Sequence, residues 1–553
     1  MNYIIEYFNY IKDKPASKKV FKLYSHLIDK LNGLTEQEYH FDKNKASRAI
    51  KFIETFCHLS KGKTGGQLVK LELWQKAFIS AIFGFVDSEG LRQYREVMLL
   101  VGRKNGKSTL AACIALYCLI ADKENAPEIY SVATKREQSK IIWDEAVRII
   151  KKSSELKKLC KTRVGDIYLQ YNEGIFKPLA SDSNSLDGLN AHFISLDEIH
   201  AWKDTNLYDV MVDSVTARSQ PLILITSTAG FVRHNIYDLK YAQAEELINS
   251  YDNPEGYKDE RLLPLIYELD NKEEWQNPDC WYKANPALGT IKDYQQLKEK
   301  VINAKHGHKD IKDLLTKDFN IPENSSQSYF DWQDIKNTEA ITQDIINKAR
   351  YGIGAFDLSR TTDLTSACVL FKVKGSEKLY CLSMSFIPSE QLEIREQQDK
   401  VPYRKWIERD LLRVCNGHTI NYHMITEWFL EIQQQHDIYL YKCGYDSYGA
   451  TYLTQEMAET FGNNCLEPVR QGAKTLSIPL QNLKAELKSK NINYNNNPIV
   501  AWCLSNLKIK RDTNDNIQPD KNRSDKTRDD AAMALLDAYT VYLNNIEDYN
   551  NLI

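Results

Sequence analysis

Residues 95–120, REVMLLVGRKNGKSTLAACIALYCLI, limit the fold of this chain more than any other stretch. REVMLLV is a short apolar run suited to a buried strand, and STLAACIALYCLI is an apolar, alanine-containing segment suited to a buried helix. The turn between them ends in Gly106-Lys107-Ser108. A strand, a tight turn and a helix in that order place backbone N–H groups and the positive end of a helix dipole against a phosphate. The usual G-x-x-x-x-G-K-[ST] spacing would open with glycine at Val101, whereas Gly102 comes one place late. The loop is a variant, in which Lys107 would reach the β/γ-phosphates and the Ser108 hydroxyl would bind Mg²⁺. Gly106 and Thr109 flank these two, and Arg103, Lys104 and Asn105 add positive charge and donors. The plain alternative is a solvated basic turn before a helix.

A chain of 553 residues exceeds a single core and calls for roughly two to four domains. Its net charge of -3 carries no global nucleic-acid signature, although a basic channel can be offset by acids elsewhere. The 11 cysteines include no C-x-x-C, so neither a zinc site nor a disulfide framework is suggested. No run approaches the length of a membrane span, and MNYIIEYFNYIKDK has tyrosines and acids where a signal peptide is apolar. An intracellular, reduced protein is expected.

Residues 1–60 read as helical, with KKVFKLYSHLIDKL apolar at three- and four-residue spacing. From 61 to 235 the strand-like runs REVMLLV, EIYSVAT, HFISLDE and PLILITSTA alternate with helical stretches. That alternation predicts a parallel sheet with helices on both faces. Residues 236–345 are more polar and mostly helical, read as a lid or linker subdomain, and a second strand-rich α/β unit occupies 346–553.

Ninety residues after Lys107, AHFISLDEIH ends an apolar strand in Asp197 and Glu198. Beside the loop, Asp197 could hold the Mg²⁺ water shell and Glu198 could polarise an attacking water. LILITSTAG ends in Thr226, Ser227 and Thr228, short hydroxyl donors suited to sensing a γ-phosphate. Upstream, Trp74 and Gln75 in LELWQKAF offer an aromatic face and a bidentate amide for an adenine ring.

The C-terminal unit carries three acids in separate contexts: Asp357 in GIGAFDLSR, Asp446 after YLYKCGY, and Asp530 in RDDAAMALLDAY. Two carboxylates at strand ends and one at a helix N-terminus can converge on two divalent metals about 3.5–4 Å apart, Mg²⁺ or Mn²⁺, for phosphodiester hydrolysis. Asp363 is a fourth candidate, and chemistry alone does not separate Asp529 from Asp530. Acids at such places are otherwise ordinary caps.

The ordered set HFDKNKASRAIKFIETFCHLSKG, LELWQKAFISAIFGFVD, VGRKNGKSTLAA, FISLDEIHAW, LITSTAG, GAFDLSRTTDLTSA, GYDSYGA, VRQGAKTLSIPL and RDDAAMALLDA resembles the large terminase subunit of tailed bacteriophages. The resemblance implies an additional-strand phosphate-loop ATPase followed by an RNase H-like nuclease. Gln75 falls in its adenine motif, Arg103, Lys107 and Ser108 in its loop, Asp197 and Glu198 in its acidic strand, and Thr226 to Thr228 in its coupling motif. Asp357, Asp446 and Asp530 fall on its nuclease acids, with Asp529 standing where the family has an apolar residue. The implied partners are double-stranded DNA, a portal protein, a small terminase subunit and further copies in a ring, without a membrane. The implied location is the host cytoplasm, outside the mature virion, for a phage or prophage product. Arg103 in cis or a neighbouring copy's arginine, such as Arg136, would stabilise the transferring phosphate. Asp197-Glu198-Ile199-His200 also suits a helicase-type ATPase, and a non-catalytic DNA scaffold would leave both acid sets without a use.

Overall fold

The computed structural model describes residues 2–34, 38–62, 64–180, 188–202, 205–231, 235–253, 255–307, 310–323, 328–358, 364–399, 401–446, 451–512, 514–520 and 528–553. They form two units, Met1–Phe231 with Asn235–Pro322, and Glu323–Ile553.

The first unit is built on strands β1 Glu96–Leu100, β2 Glu128–Ala133, β3 Cys160–Thr162, β4 Ile167–Leu169, β5 Gly174–Ala180, β6 Ala191–Asp197, β7 Leu222–Ser227 and β8 Leu262–Ile266. Their order is β8-β1-β7-β6-β2-β5-β4-β3. All neighbours from β8 to β5 are parallel, and the β5-β4-β3 end is antiparallel. Helices α1 Tyr3–Lys12, α2 Lys18–Leu31, α3 Lys43–Phe56, α4 Leu73–Gly84, α5 Lys107–Ile120 and α6 Arg136–Lys152 cover one face, burying Val97, Leu99 and Val101. Met98 and Leu100 point the other way, into a core shared with helix α7 Ile236–Ser250. Burial on both faces is why these strands read as continuous apolar runs rather than alternating ones.

The N-terminal helices have no core of their own: α1 and α3 both pack on α4. Strand β8 lies beyond residue 235, where the ATPase core was expected to end, and pairs in parallel with β1. Residues 281–320 gather the short helix Trp281–Ala284, Tyr294–Lys305 and α8 Ile311–Phe319 around a small core of Trp281, Leu297, Leu314 and Phe319.

The second unit holds β9 Tyr351–Asp357, β10 Thr365–Lys372, β11 Leu379–Pro388, β12 Leu412–Cys415, β13 Tyr439–Tyr445 and β14 Leu466–Pro468, in the order β12-β11-β10-β9-β13-β14. β9, β10 and β11 form an antiparallel meander, and β13 and β14 follow in parallel with β9, each preceded by a helix. This is the RNase H-like topology. A second motor domain, which a helicase would need, does not occupy this half of the chain. Helix α9 Asp530–Asn544 packs on β9, β10 and β13 and is almost wholly buried. Its far end is fixed by the next helix, where the Tyr549 hydroxyl donates to the Tyr351 carbonyl at 2.8 Å. Among the described residues no helix is long and apolar enough to cross a membrane, and all eleven cysteines are free thiols.

Candidate active sites

Helix α5 starts at the C-terminal end of β1. Gly106 caps it at φ 86, a left-handed conformation that side chains disfavour. Lys107 is buried and turns back, its Nζ donating to the Val101 carbonyl at 3.3 Å and lying 3.6 Å from Glu198 Oε1. Burial pushes the Lys107 ammonium below the usual lysine range, against the pull of Glu198 and Asp197.

Strand β7 stands between β1 and the acidic strand β6, as the additional-strand type implies. The strand ends still meet, since Leu100 pairs with Ser227 and Thr226 with Asp197 in parallel register. Thr226 links them chemically: its hydroxyl donates to Asp197 Oδ1 at 2.7 Å, and its carbonyl accepts the Glu198 N–H at 2.7 Å. Glu198 then turns left-handed at φ 50, a conformation that costs a non-glycine residue about 1–3 kcal/mol and recurs at functional sites. His200 Nδ1 lies 2.9 Å from Glu198 Oε2 and 3.0 Å from the Ser227 hydroxyl. Burial alone would raise the Glu198 carboxyl, but Lys107 and His200 outweigh it and hold it at about 2. Asp197 moves the other way, raised by burial and by the charge of Glu198.

Ser108 is half-buried at the helix start, and the Thr109 hydroxyl is spent on Glu145 Oε1 at 3.2 Å, tying α5 to α6. Thr228 is buried, and Arg103 and Arg136 are exposed. Gln75 is buried, and its Oε1 accepts the Glu72 N–H at 3.0 Å as part of a capping box on α4. Half of the expected bidentate amide is thus engaged, and Nε2 remains, 3.6 Å from where a Cβ on Gly106 would stand. Beside Trp74 opens a cavity of about 540 Å³ with Tyr7, Tyr10, Tyr267, Tyr282 and Thr290 in its wall.

In the second unit Asp357 ends β9 and Asp446 follows β13, and the preceding Phe356 and Tyr445 are paired. The two half-buried acids therefore leave adjacent parallel strands at one sheet edge. Asp537 and Val541 of α9 crowd Gly444 two residues before Asp446, while Tyr549, on the helix that follows α9, meets the start of β9. The helix thus runs antiparallel to β9, and its first residue, Asp530, is carried toward the same edge. Positions 530, 534, 537 and 541 form one stripe at helical spacing, with Asp529 about 100° around from it. Asp529 and Asp530 are both buried, and Asp363 lies outside the described residues.

Anchors that the sequence reading did not assign hold this helix. Asp399 Oδ2 meets Arg528 Nε at 3.3 Å and accepts the Tyr403 hydroxyl at 2.7 Å. Gln471 Nε2 spans the two Asp537 oxygens at 3.0 and 3.1 Å. The available signal was a carboxylate in the middle of an apolar helix, which must find a donor. Cys118, Asp122 and His192 also cluster in the first unit, but Asp122 Oδ2 already takes Arg92 Nη2 at 2.5 Å and His192 Nε2 at 2.8 Å. The guanidinium makes this an ion-pair network rather than a metal pocket.

A phosphate-loop fold with a strand between its loop strand and its acidic strand, followed by an RNase H-like unit with acids at one sheet edge, defines a nucleotide hydrolase joined to a nuclease. The model of the terminase large subunit ATPase domain matches residues 73–246, and that of the terminase large subunit endonuclease domain matches 258–545. The chain belongs to the terminase large subunit family and is an ATPase and an endonuclease, a pairing consistent with DNA packaging and cleavage. It is 25% identical over 489 residues to the terminase large subunit of Enterobacteria phage HK97, covering 87% of this chain and 92% of that one. Protein YmfN of Escherichia coli (strain K12) is 27% identical over 378 residues, 66% of this chain and 80% of its own length. The crystal structure of the HK97 large terminase superposes with a TM-score of 0.46 at 21% identity, covering 90% of this chain and 99% of that one.

Proposed function

We propose that the first unit hydrolyses ATP to drive double-stranded DNA into a procapsid and that the second cuts concatemeric DNA with two divalent metals, Mg²⁺ or Mn²⁺. One observation carries the ATPase assignment: Lys107, Glu198, Thr226 and Asp197 form a connected set across β1, β7 and β6 at a helix start. Lys107 leaves Glu198 for the β/γ-phosphates, Ser108 and Asp197 hold Mg²⁺, and Glu198 orients the attacking water. Thr226 to Thr228 couple phosphate state to β7. The base enters the cavity beside Trp74, and Gln75 Nε2, on the Gly106 side, supplies a donor to it.

For the nuclease, Asp357, Asp446 and Asp530 form a hard-oxygen donor set that fits Mg²⁺ or Mn²⁺. Paired metals, when bound, stabilise the attacking and leaving oxygens of an in-line displacement. The stripe 530, 534, 537 and 541 favours Asp530 over Asp529. Working as a ring on a portal protein in the host cytoplasm, with a small subunit supplying site recognition, the chain would not enter the mature virion. Arg103 and Arg136 both suit the phosphate-stabilising arginine.

Lys107→Ala is expected to lose at least about 100-fold in ATP turnover and to keep plasmid nicking with Mn²⁺. Wild-type turnover in this variant rejects the loop assignment. ATP-dependent protection of DNA from DNase inside portal-bearing procapsids tests the motor, and equal protection without ATP sinks it.

A further inference from the structure

The loop lacks its opening glycine, and its shape is held from about 180 residues away. Asn105 is fully buried; its Nδ2 donates to the Gly102 carbonyl at 2.8 Å and to Asn285 Oδ1 at 2.9 Å, while its Oδ1 accepts the Ala287 N–H at 3.1 Å. Asn285 is equally buried, and its Nδ2 donates to the carbonyls of Trp281 at 3.1 Å and Asp318 at 2.9 Å. Lys292 Nζ reaches Asn285 Oδ1 at 2.7 Å and Asp318 Oδ1 at 3.0 Å, bracing the amide from behind. The loop backbone joins in: the Gly102 N–H donates to the Ala284 carbonyl at 3.1 Å and the Arg103 N–H to the Lys317 carbonyl at 2.8 Å. Gly102 permits this approach, because a Cβ there would stand 2.5 Å from both Asn285 Oδ1 and the Asp318 carbonyl.

Each polar atom of the two amides is therefore used, in a place where losing one partner strands the other away from water. The loop donates its first N–H groups to residues 281–320 and turns its later ones, at the start of α5, toward the phosphate position.

We infer that Asn285 is a positioning residue for nucleotide binding, holding the loop through Asn105 in the shape that receives the triphosphate. It touches no reacting atom. The inference rests on the phosphate-loop assignment, with Asn285 as a residue outside the recognised motifs.

The test is a double-mutant cycle in the full chain, read as the dissociation constant of a non-hydrolysable ATP analogue and as kcat at saturating ATP. Asn105→Ala and Asn285→Ala should each weaken binding about 10-fold, the effect of one buried hydrogen bond, and Asn285→Ala should change kcat at most about 2-fold. Asn105→Ala/Asn285→Ala together should also weaken binding only about 10-fold, because the shared bond can be lost once. Wild-type affinity in either single variant, or about 100-fold weakening in the double, overturns the inference. Should Asn285→Ala fail to fold, Gly102→Ala attacks the same contact from the loop side. The same loss of affinity is expected there, and wild-type affinity again overturns the inference. Lys107→Ala keeps the two ideas apart. If it binds the analogue normally, the phosphate-loop assignment fails; if it does not, while Asn285→Ala does, only the positioning role fails.

Discussion

Asp357→Ala and Asp446→Ala are each expected to reduce Mn²⁺-dependent plasmid nicking below detection while leaving the second unit folded. Both acids stand at the ends of adjacent parallel strands, and α9 delivers Asp530 toward the same edge. On the proposed metal assignment the three carboxylates would repel one another without a cation, so removing one would relieve repulsion as it removes a ligand. The variants should accordingly melt no lower than the wild-type chain without metal, and Mn²⁺ should raise their melting temperature less. Asp529→Asn and Asp530→Asn separate the two neighbours, and only the second is expected to stop cutting, because it lies on the stripe that faces Gly444. Wild-type cutting by both Asp357→Ala and Asp530→Asn, in preparations cleared of contaminating nucleases, would falsify the metal assignment for this edge.

What the sequence made legible follows burial. All seven residues of β6 are buried, so AHFISLD stands out as an apolar run that ends abruptly in acids. The loop was legible for the same reason, with β1 and α5 apolar on either side of Gly106-Lys107-Ser108. Strand β8 was hidden because Pro264 interrupts LLPLI within a polar stretch. Proline is tolerated there because β8 lies at the sheet edge, its outer side unpaired among the described residues. Strands β3 and β4 have three residues each, too few to show a period. Acids at strand ends are legible by position, as Asp357 and Asp446 are. The bond between Asn105 and Asn285 is not, because two buried amides 180 residues apart leave no local pattern and meet only once residues 281–320 dock on the loop.

Glu198→Gln is expected to bind ATP at least as well as the wild-type chain and to hydrolyse it about 10²–10⁴-fold more slowly, the usual loss on removing a general base. With Lys107 at 3.6 Å and His200 at 2.9 Å holding it at about 2, Glu198 is a poor base. Phosphate oxygens that draw Lys107 away remove one of those restraints, so the carboxylate regains proton affinity only when a substrate is in place. Glutamine keeps the size of the side chain and tolerates the left-handed turn at residue 198 about as well as glutamate, but it cannot take the proton. The amide also stops competing for Lys107, whose buried ammonium then lacks its nearest carboxylate until a triphosphate arrives. Binding and turnover should thus separate in this variant, where Lys107→Ala loses both. If Glu198→Gln instead loses ATP affinity as severely as Lys107→Ala, Glu198 is a brace for the lysine, and the water must be oriented by another group.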